Sequence, residues 1–107
     1  MKTLRESIVN TINELNKLML KTKDPEEEKK IRKLRKIYFS LLEEVIEQKI
    51  KRNTGEFKAA LESLEAAYKE AKAAKKDINK IKTAIDKAVS AAKALDKVVK
   101  FGFELLT

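Results

Sequence analysis

Apolar residues near the start of the chain recur at helical spacing. The intervals between them are four, four, three and three residues, which places them on one face of an α-helix. They are Leu4, Ile8, Ile12, Leu15 and Leu18. Thr3 and Glu6 have the spacing of a capping box, in which a hydroxyl and a carboxylate each accept a backbone amide at the helix start. The pattern predicts a first helix that ends at about Lys21.

A second helix is predicted to begin at Pro25. Asp24 offers a capping carboxylate, proline lacks only an amide hydrogen that would be unpaired there, and glutamates fill the first turn. An apolar stripe follows at alternating intervals of three and four, broadened by three further residues. The stripe is Ile31, Leu34, Tyr38, Leu41 and Val45, and the broadening residues are Ile37, Leu42 and Ile46. The helix should run to about Arg52. Its short connection to the first helix predicts an antiparallel hairpin.

The second half of the chain differs in composition. Asn53-Thr54-Gly55-Glu56 interrupts the helical pattern, with Asn53 and Glu56 at capping-box spacing. Residues 1–56 contain no alanine, whereas residues 57–107 contain twelve. A seven-residue apolar repeat runs through this half at Phe57, Leu64, Ala71, Ile78, Ile85, Ala92, Val99 and Leu106. Such a repeat is typical of a helix that winds around a partner helix in a coiled coil.

Two architectures are compatible with this repeat. Asp77 has the chemistry of a helix cap, but no glycine or proline stands between Gly55 and Gly102, and a turn would preserve the repeat only by chance. We therefore expect one helix over residues 56–104. The predicted fold is a single all-α domain, in which an antiparallel hairpin (residues 1–53) packs on a long C-terminal helix (residues 54–107) as a three-helix bundle. The alternative is a four-helix bundle, if the last helix breaks near Asp77.

The composition argues against an enzyme. The chain has no histidine and no cysteine, which removes the commonest general base, the thiol nucleophile and the usual zinc ligands. The glutamates at positions 26–28 and 43–44 fall at a helix start and on an outer helix face, whereas acid–base pairs need a dry cleft. We expect no catalytic residue, no metal site and no cofactor.

The chain also lacks the apolar run of about 18 residues that a membrane span requires. Its first residues do not resemble the apolar core of a secretory signal. We expect a cytoplasmic protein.

The C-terminal part of the expected long helix is the leading candidate for binding. At about 1.5 Å per residue, residues 56–104 would span about 70 Å against about 40 Å for the second helix. The overhanging stripe would have no cover within the chain, and exposed stripes of this size mark contact surfaces. The candidate partner-binding residues are Ile85, Val89, Ala92, Leu95, Val99, Phe101, Phe103 and Leu106. They predict a non-enzymatic protein–protein interaction module, such as an inhibitor, immunity protein, adaptor or assembly subunit. Its partner would be another protein, favourably an acidic one, or a second copy of the chain.

A basic patch supplies the alternative function. The net charge is +8, and Lys29, Arg32, Lys33 and Lys36 fall opposite the apolar stripe of the second helix. Lysine contacts to phosphates would make the protein a nucleic-acid binder. The same outer face turns acidic at Glu43 and Glu44, so a solvated helix surface is the simpler interpretation. Membrane-surface association through the C-terminal segment is a weaker alternative, because that segment is short and has no tryptophan.

Overall fold

The computed structural model describes residues 3–47 and 54–99, which form four α-helices and no strand. A single 3-10 turn, Ile78–Lys80, precedes the last helix. The helices are α1 (Leu4–Lys21), α2 (Pro25–Glu47), α3 (Gly55–Ala74) and α4 (Ile81–Val99). The all-α prediction is confirmed.

The first hairpin forms where its capping residues predict it. The Thr3 hydroxyl accepts the Glu6 backbone amide at 3.1 Å and so caps α1. The Asp24 carboxylate accepts the Glu26 amide at 2.9 Å and caps α2 in the same way. Between the helices, the Thr22 amide donates to the Leu18 carbonyl at 2.9 Å. These bonds satisfy backbone groups that have no partner inside the helices.

The single helix predicted over residues 56–104 is wrong, and the four-helix alternative is correct. The chain leaves α3 after Ala74, and the Asp77 carboxylate accepts the Asn79 amide at 3.1 Å to start the next element. Ile78 occupies a position of the seven-residue repeat, yet its side chain is 56% exposed in the turn. The repeat therefore does not run through as one helical seam. Folding back gives both halves apolar cover, which outweighs the few helical hydrogen bonds lost at the turn.

The start of α3 also differs in detail from the prediction. The Thr54 hydroxyl, two residues before Glu56, accepts the Phe57 amide at 3.1 Å and caps the helix. Asn53, the predicted cap, lies outside the described residues.

The four helices pack side by side, and successive helices along the chain run in opposite directions. α1 and α4 each pack against both α2 and α3, and α3 packs against α4 as the second hairpin. The Lys21 ammonium donates to the Lys75 carbonyl at 2.8 Å, so the C-terminal ends of α1 and α3 lie at the same end of the bundle. At mid-length the Tyr38 hydroxyl on α2 donates to the Ala88 carbonyl on α4 at 2.6 Å. This bond joins the two hairpins, and burial raises the pKa of Tyr38 far above its ordinary value.

The core combines two kinds of packing. The inward faces of α1 and α2 are built from leucine, isoleucine and Tyr38. The inward faces of α3 and α4 combine a few large residues with eight buried alanines, at positions 60, 67, 71, 74, 84, 88, 91 and 92. Alanines at the contact between two helices let their backbones approach closely. The buried carboxylate of Glu14 is neutralised at the edge of this core, where its Oε2 lies 2.7 Å from Lys75 Nζ.

Candidate interaction surface

The uncovered stripe predicted on the last helix is not found among the described residues. Ile85, Ala92, Leu95 and Val99 are buried, and Val89 packs against the core at its edge. The prediction failed because it assumed a straight helix, whereas the turn at Asp77 lays α4 against α2 and α3. The remaining candidates of this set, Phe101, Phe103 and Leu106, lie outside the described residues.

The basic patch is on the surface as predicted. Lys29, Arg32, Lys33 and Lys36 are all exposed on α2. Arg32 is engaged within its own helix, since its Nη2 lies 2.7 Å from Glu28 Oε1. Two turns beyond Lys36 the same side of the helix presents the exposed carboxylate of Glu43. This face is therefore basic in the first half of α2 and acidic further along.

The exposed large apolar residues cluster on the first hairpin. Five such residues stand out in the described part of the chain: Val9, Leu20, Phe39, Ile46 and Ile78. All except Ile78 belong to α1 or α2. Phe39 is 48% exposed and Ile46 is 54% exposed, which is unusual exposure for side chains of this size. Their positions within the hairpin decide whether they form one surface.

On α2, Phe39 and Ile46 belong to a second stripe beside the core stripe. Arg35, Phe39, Leu42 and Ile46 follow at intervals of four, three and four, so they share one side of the helix. The Arg35 Nη1 donates to the Asn16 side-chain oxygen at 2.9 Å, which places this side of α2 next to α1. Tyr38 binds α4 from another side of the helix. The second stripe thus borders the outer groove between α1 and α2.

On α1, the same groove is lined mostly by residues without charge, with Arg5 near the start of the helix on the same side. Glu14 contacts Lys75 on the α3 side of the helix, and Asn16 contacts Arg35 on the α2 side. At about 100° per residue, Val9, Asn13 and Leu20 project within roughly 60° of Asn16. They therefore face outward on the α2 side.

Together these residues border the outer groove between α1 and α2, and this set is here named the hairpin face. It consists of Val9, Asn13, Asn16 and Leu20 on α1 and Arg35, Phe39, Leu42 and Ile46 on α2. It contains an aromatic and an arginine side chain, residue types that are enriched at the centres of protein interfaces. Within residues 3–47 and 54–99, no three His, Cys, Asp or Glu side chains come together where they could hold a metal ion.

Sequence reasoning missed the hairpin face. It placed Leu42 and Ile46 in a broadened core stripe, and it gave Phe39, Val9 and Leu20 no role. For Ile46 this assignment is wrong, since the side chain is mostly exposed, whereas Leu42 is half-buried against the core. A signal was present, because the stripe from Arg35 to Ile46 is offset from the core stripe by about a quarter of a turn. The pattern cannot say which stripe another helix covers.

No family model, no curated protein and no solved structure matches this chain. None of the described helices is both long enough and apolar enough to cross a membrane.

Proposed function

We propose that this chain is a non-enzymatic protein–protein interaction module that binds its partner through the hairpin face. The observation that carries the proposal is the half-exposed pair Phe39 and Ile46 on one stripe of α2, with Val9 on the adjoining helix. Large apolar side chains that share one face are seldom left in water unless a partner covers them.

Phe39 is the natural anchor of such an interface. An aromatic side chain presents about 200 Å² of surface, so covering its exposed half removes about 100 Å² from water. At about 25 cal/mol per Å², this contributes roughly 2.5 kcal/mol to binding. Arg35 lies one turn away and is held by its hydrogen bond to Asn16. An arginine that is positioned in advance loses less conformational entropy when it binds.

Nucleic-acid binding has less support. Phosphate recognition needs a continuous basic surface, and each contact adds to the dependence of binding on salt. The basic residues of α2 are preceded by Glu28, which pairs with Arg32, and are followed by Glu43. The hairpin face itself carries one cationic side chain, Arg35.

Affinity capture with matched variants tests the proposal. The wild-type chain, Phe39→Glu and Ser90→Glu are immobilised, and each is exposed to a lysate of the organism that encodes the chain. Ser90 is exposed on α4, so Ser90→Glu adds the same charge away from the hairpin face. Circular dichroism establishes that all three are folded. A protein retained by the wild type and by Ser90→Glu and lost by Phe39→Glu supports the proposal. Equal retention by all three variants contradicts it.

A further inference from the structure

We infer that the occupant of the hairpin face is a second copy of this chain, paired so that the two α2 helices run antiparallel. This inference rests on the proposed function and adds the identity of the partner. Three properties of α2 support it: the spacing of its second stripe, the position of Phe39 within that stripe, and the order of the charges beside it.

The spacing of the second stripe is that of a coiled-coil seam. Arg35, Phe39, Leu42 and Ile46 alternate at intervals of four and three, the spacing of the a and d positions that face a partner helix. The core stripe of α2 is already covered by its own chain, with Leu34, Tyr38 and Leu41 fully buried. The second stripe is therefore available to pack against a helix of another molecule.

The charges beside this seam make it self-complementary. Lys36 and Glu43 are exposed and stand seven residues apart, each one position after a seam residue, which is the flanking e position of a heptad. Their midpoint lies between Phe39 and Ser40. A two-fold axis there brings Lys36 of each copy opposite Glu43 of the other. In a parallel arrangement the e positions of the two helices lie on opposite sides of the seam, so Lys36 and Glu43 would gain no such contact and the charges favour the antiparallel one.

The same axis brings the two Phe39 rings together. In the antiparallel arrangement Phe39 lies beside the axis, and its exposed half packs against the equivalent ring of the second copy. An interface that is isologous in this way buries the same residues on both copies. The net charge of +8 makes two copies repel elsewhere on the surface, so contact is favoured where a basic and an acidic residue are both present. An acidic partner would instead gain from a uniformly basic face, and Glu43 interrupts this one.

Charge reversal across the axis tests the inference. Sedimentation equilibrium from about 1 µM to 1 mM is measured for the wild type, Lys36→Glu, Glu43→Lys and the double variant. We expect a wild-type dimer, weakened roughly tenfold by either single change, because each creates two like-charge contacts in place of two attractive ones. The double variant should restore the dimer. A mixture of the two single variants should form a heterodimer, since both of its contacts again join opposite charges. Lys33→Glu is the matched control, because it changes the same charge on another side of α2.

The outcomes separate this inference from the proposed function. A wild type that stays monomeric to 1 mM overturns the second copy as the occupant of the hairpin face. The proposed function would still be supported if affinity capture retains a protein on the wild type and on Ser90→Glu but not on Phe39→Glu. A dimer weakened equally by Lys36→Glu and Lys33→Glu, or one that the double variant does not restore, also overturns the antiparallel pairing.

Discussion

The two hairpins of this bundle fill the shared core with different side chains. The first hairpin, α1 and α2, has no alanine and fills its side of the core with leucine, isoleucine and tyrosine. The second, α3 and α4, buries eight alanines and uses fewer large residues. Both hairpins bury their inward faces, yet four of the five exposed large apolar side chains in residues 3–47 and 54–99 belong to the first.

The two hairpins differ in which side chains they place on the outside. Small side chains allow α3 and α4 to pack closely, and their outward positions are mostly charged or small. The first hairpin carries more large apolar residues than its inward face can hold, and the surplus forms the hairpin face. Under the proposed function, the alanine-rich hairpin acts as support and the bulky hairpin offers the contact surface. Four predictions test this comparison, from the largest expected effect to the smallest.

The first tests the bulky hairpin. Leu15→Ala should lower the free energy of unfolding by about 3 kcal/mol, because it leaves a cavity where a fully buried leucine was. Leu20→Ala, on the same helix, should change stability by less than about 0.5 kcal/mol because Leu20 is 84% exposed. Urea unfolding followed by circular dichroism measures both. Equal losses would mean that Leu20 is covered within the folded chain and does not belong to the hairpin face.

The second tests the alanine-rich hairpin. Ala67→Leu should destabilise the protein by about 2 kcal/mol, because a larger side chain at a buried position forces the neighbouring helices apart. Ala59→Leu, at an exposed position of the same helix, is the control and should stay within about 0.5 kcal/mol. Guanidinium unfolding gives both values. A stabilising Ala67→Leu would reveal a cavity and refute close packing in this hairpin.

The third tests the contact that joins the hairpins. Tyr38→Phe should cost about 1 kcal/mol at neutral pH, because it removes the hydrogen bond to the Ala88 carbonyl. Burial raises the pKa of Tyr38, so the folded protein keeps the hydroxyl protonated where the unfolded chain ionises. This contribution to stability is fully present below about pH 10 and is lost as pH rises above it.

The phenylalanine variant lacks this titration. The difference in unfolding free energy between the wild type and Tyr38→Phe should therefore narrow between pH 9 and pH 11, as measured by urea unfolding. All other side chains are common to both proteins, so their contributions cancel in the difference. A difference that stays constant or widens with pH would show that Tyr38 is accessible to solvent.

The fourth tests the turn of the second hairpin. Asp77→Ala should cost about 1 kcal/mol or slightly less, because the Asn79 amide loses the carboxylate that caps it. Asp86→Ala removes the same charge from an exposed position inside α4, where alanine is the better helix former, and should be neutral or slightly stabilising. Thermal unfolding of the two variants measures both changes in stability. A neutral Asp77→Ala would favour a continuous helix.

Local signals predicted the first hairpin well. The caps at Thr3 and Asp24 lie where their spacing places them, and the stripes of α1 and α2 are buried as the periodicity predicts. Such signals involve residues within a turn or two of one helix, so they can be predicted from the sequence. The capping residue Asp77 can be predicted in the same way, but the seven-residue repeat on both sides of it favoured one continuous helix.

The sequence by itself determined the all-α class, most of the helices and the stripes that can be buried. The tertiary structure decided which stripes are covered. Leu95 and Ile46 look alike in sequence, since both are large apolar residues on helical stripes, yet Leu95 is buried and Ile46 is exposed. The reason is that burial depends on helices far apart in the chain, and periodicity describes only one helix at a time. Once α4 folds back to fill the core, the apolar side chains that stay exposed lie mostly on the first hairpin.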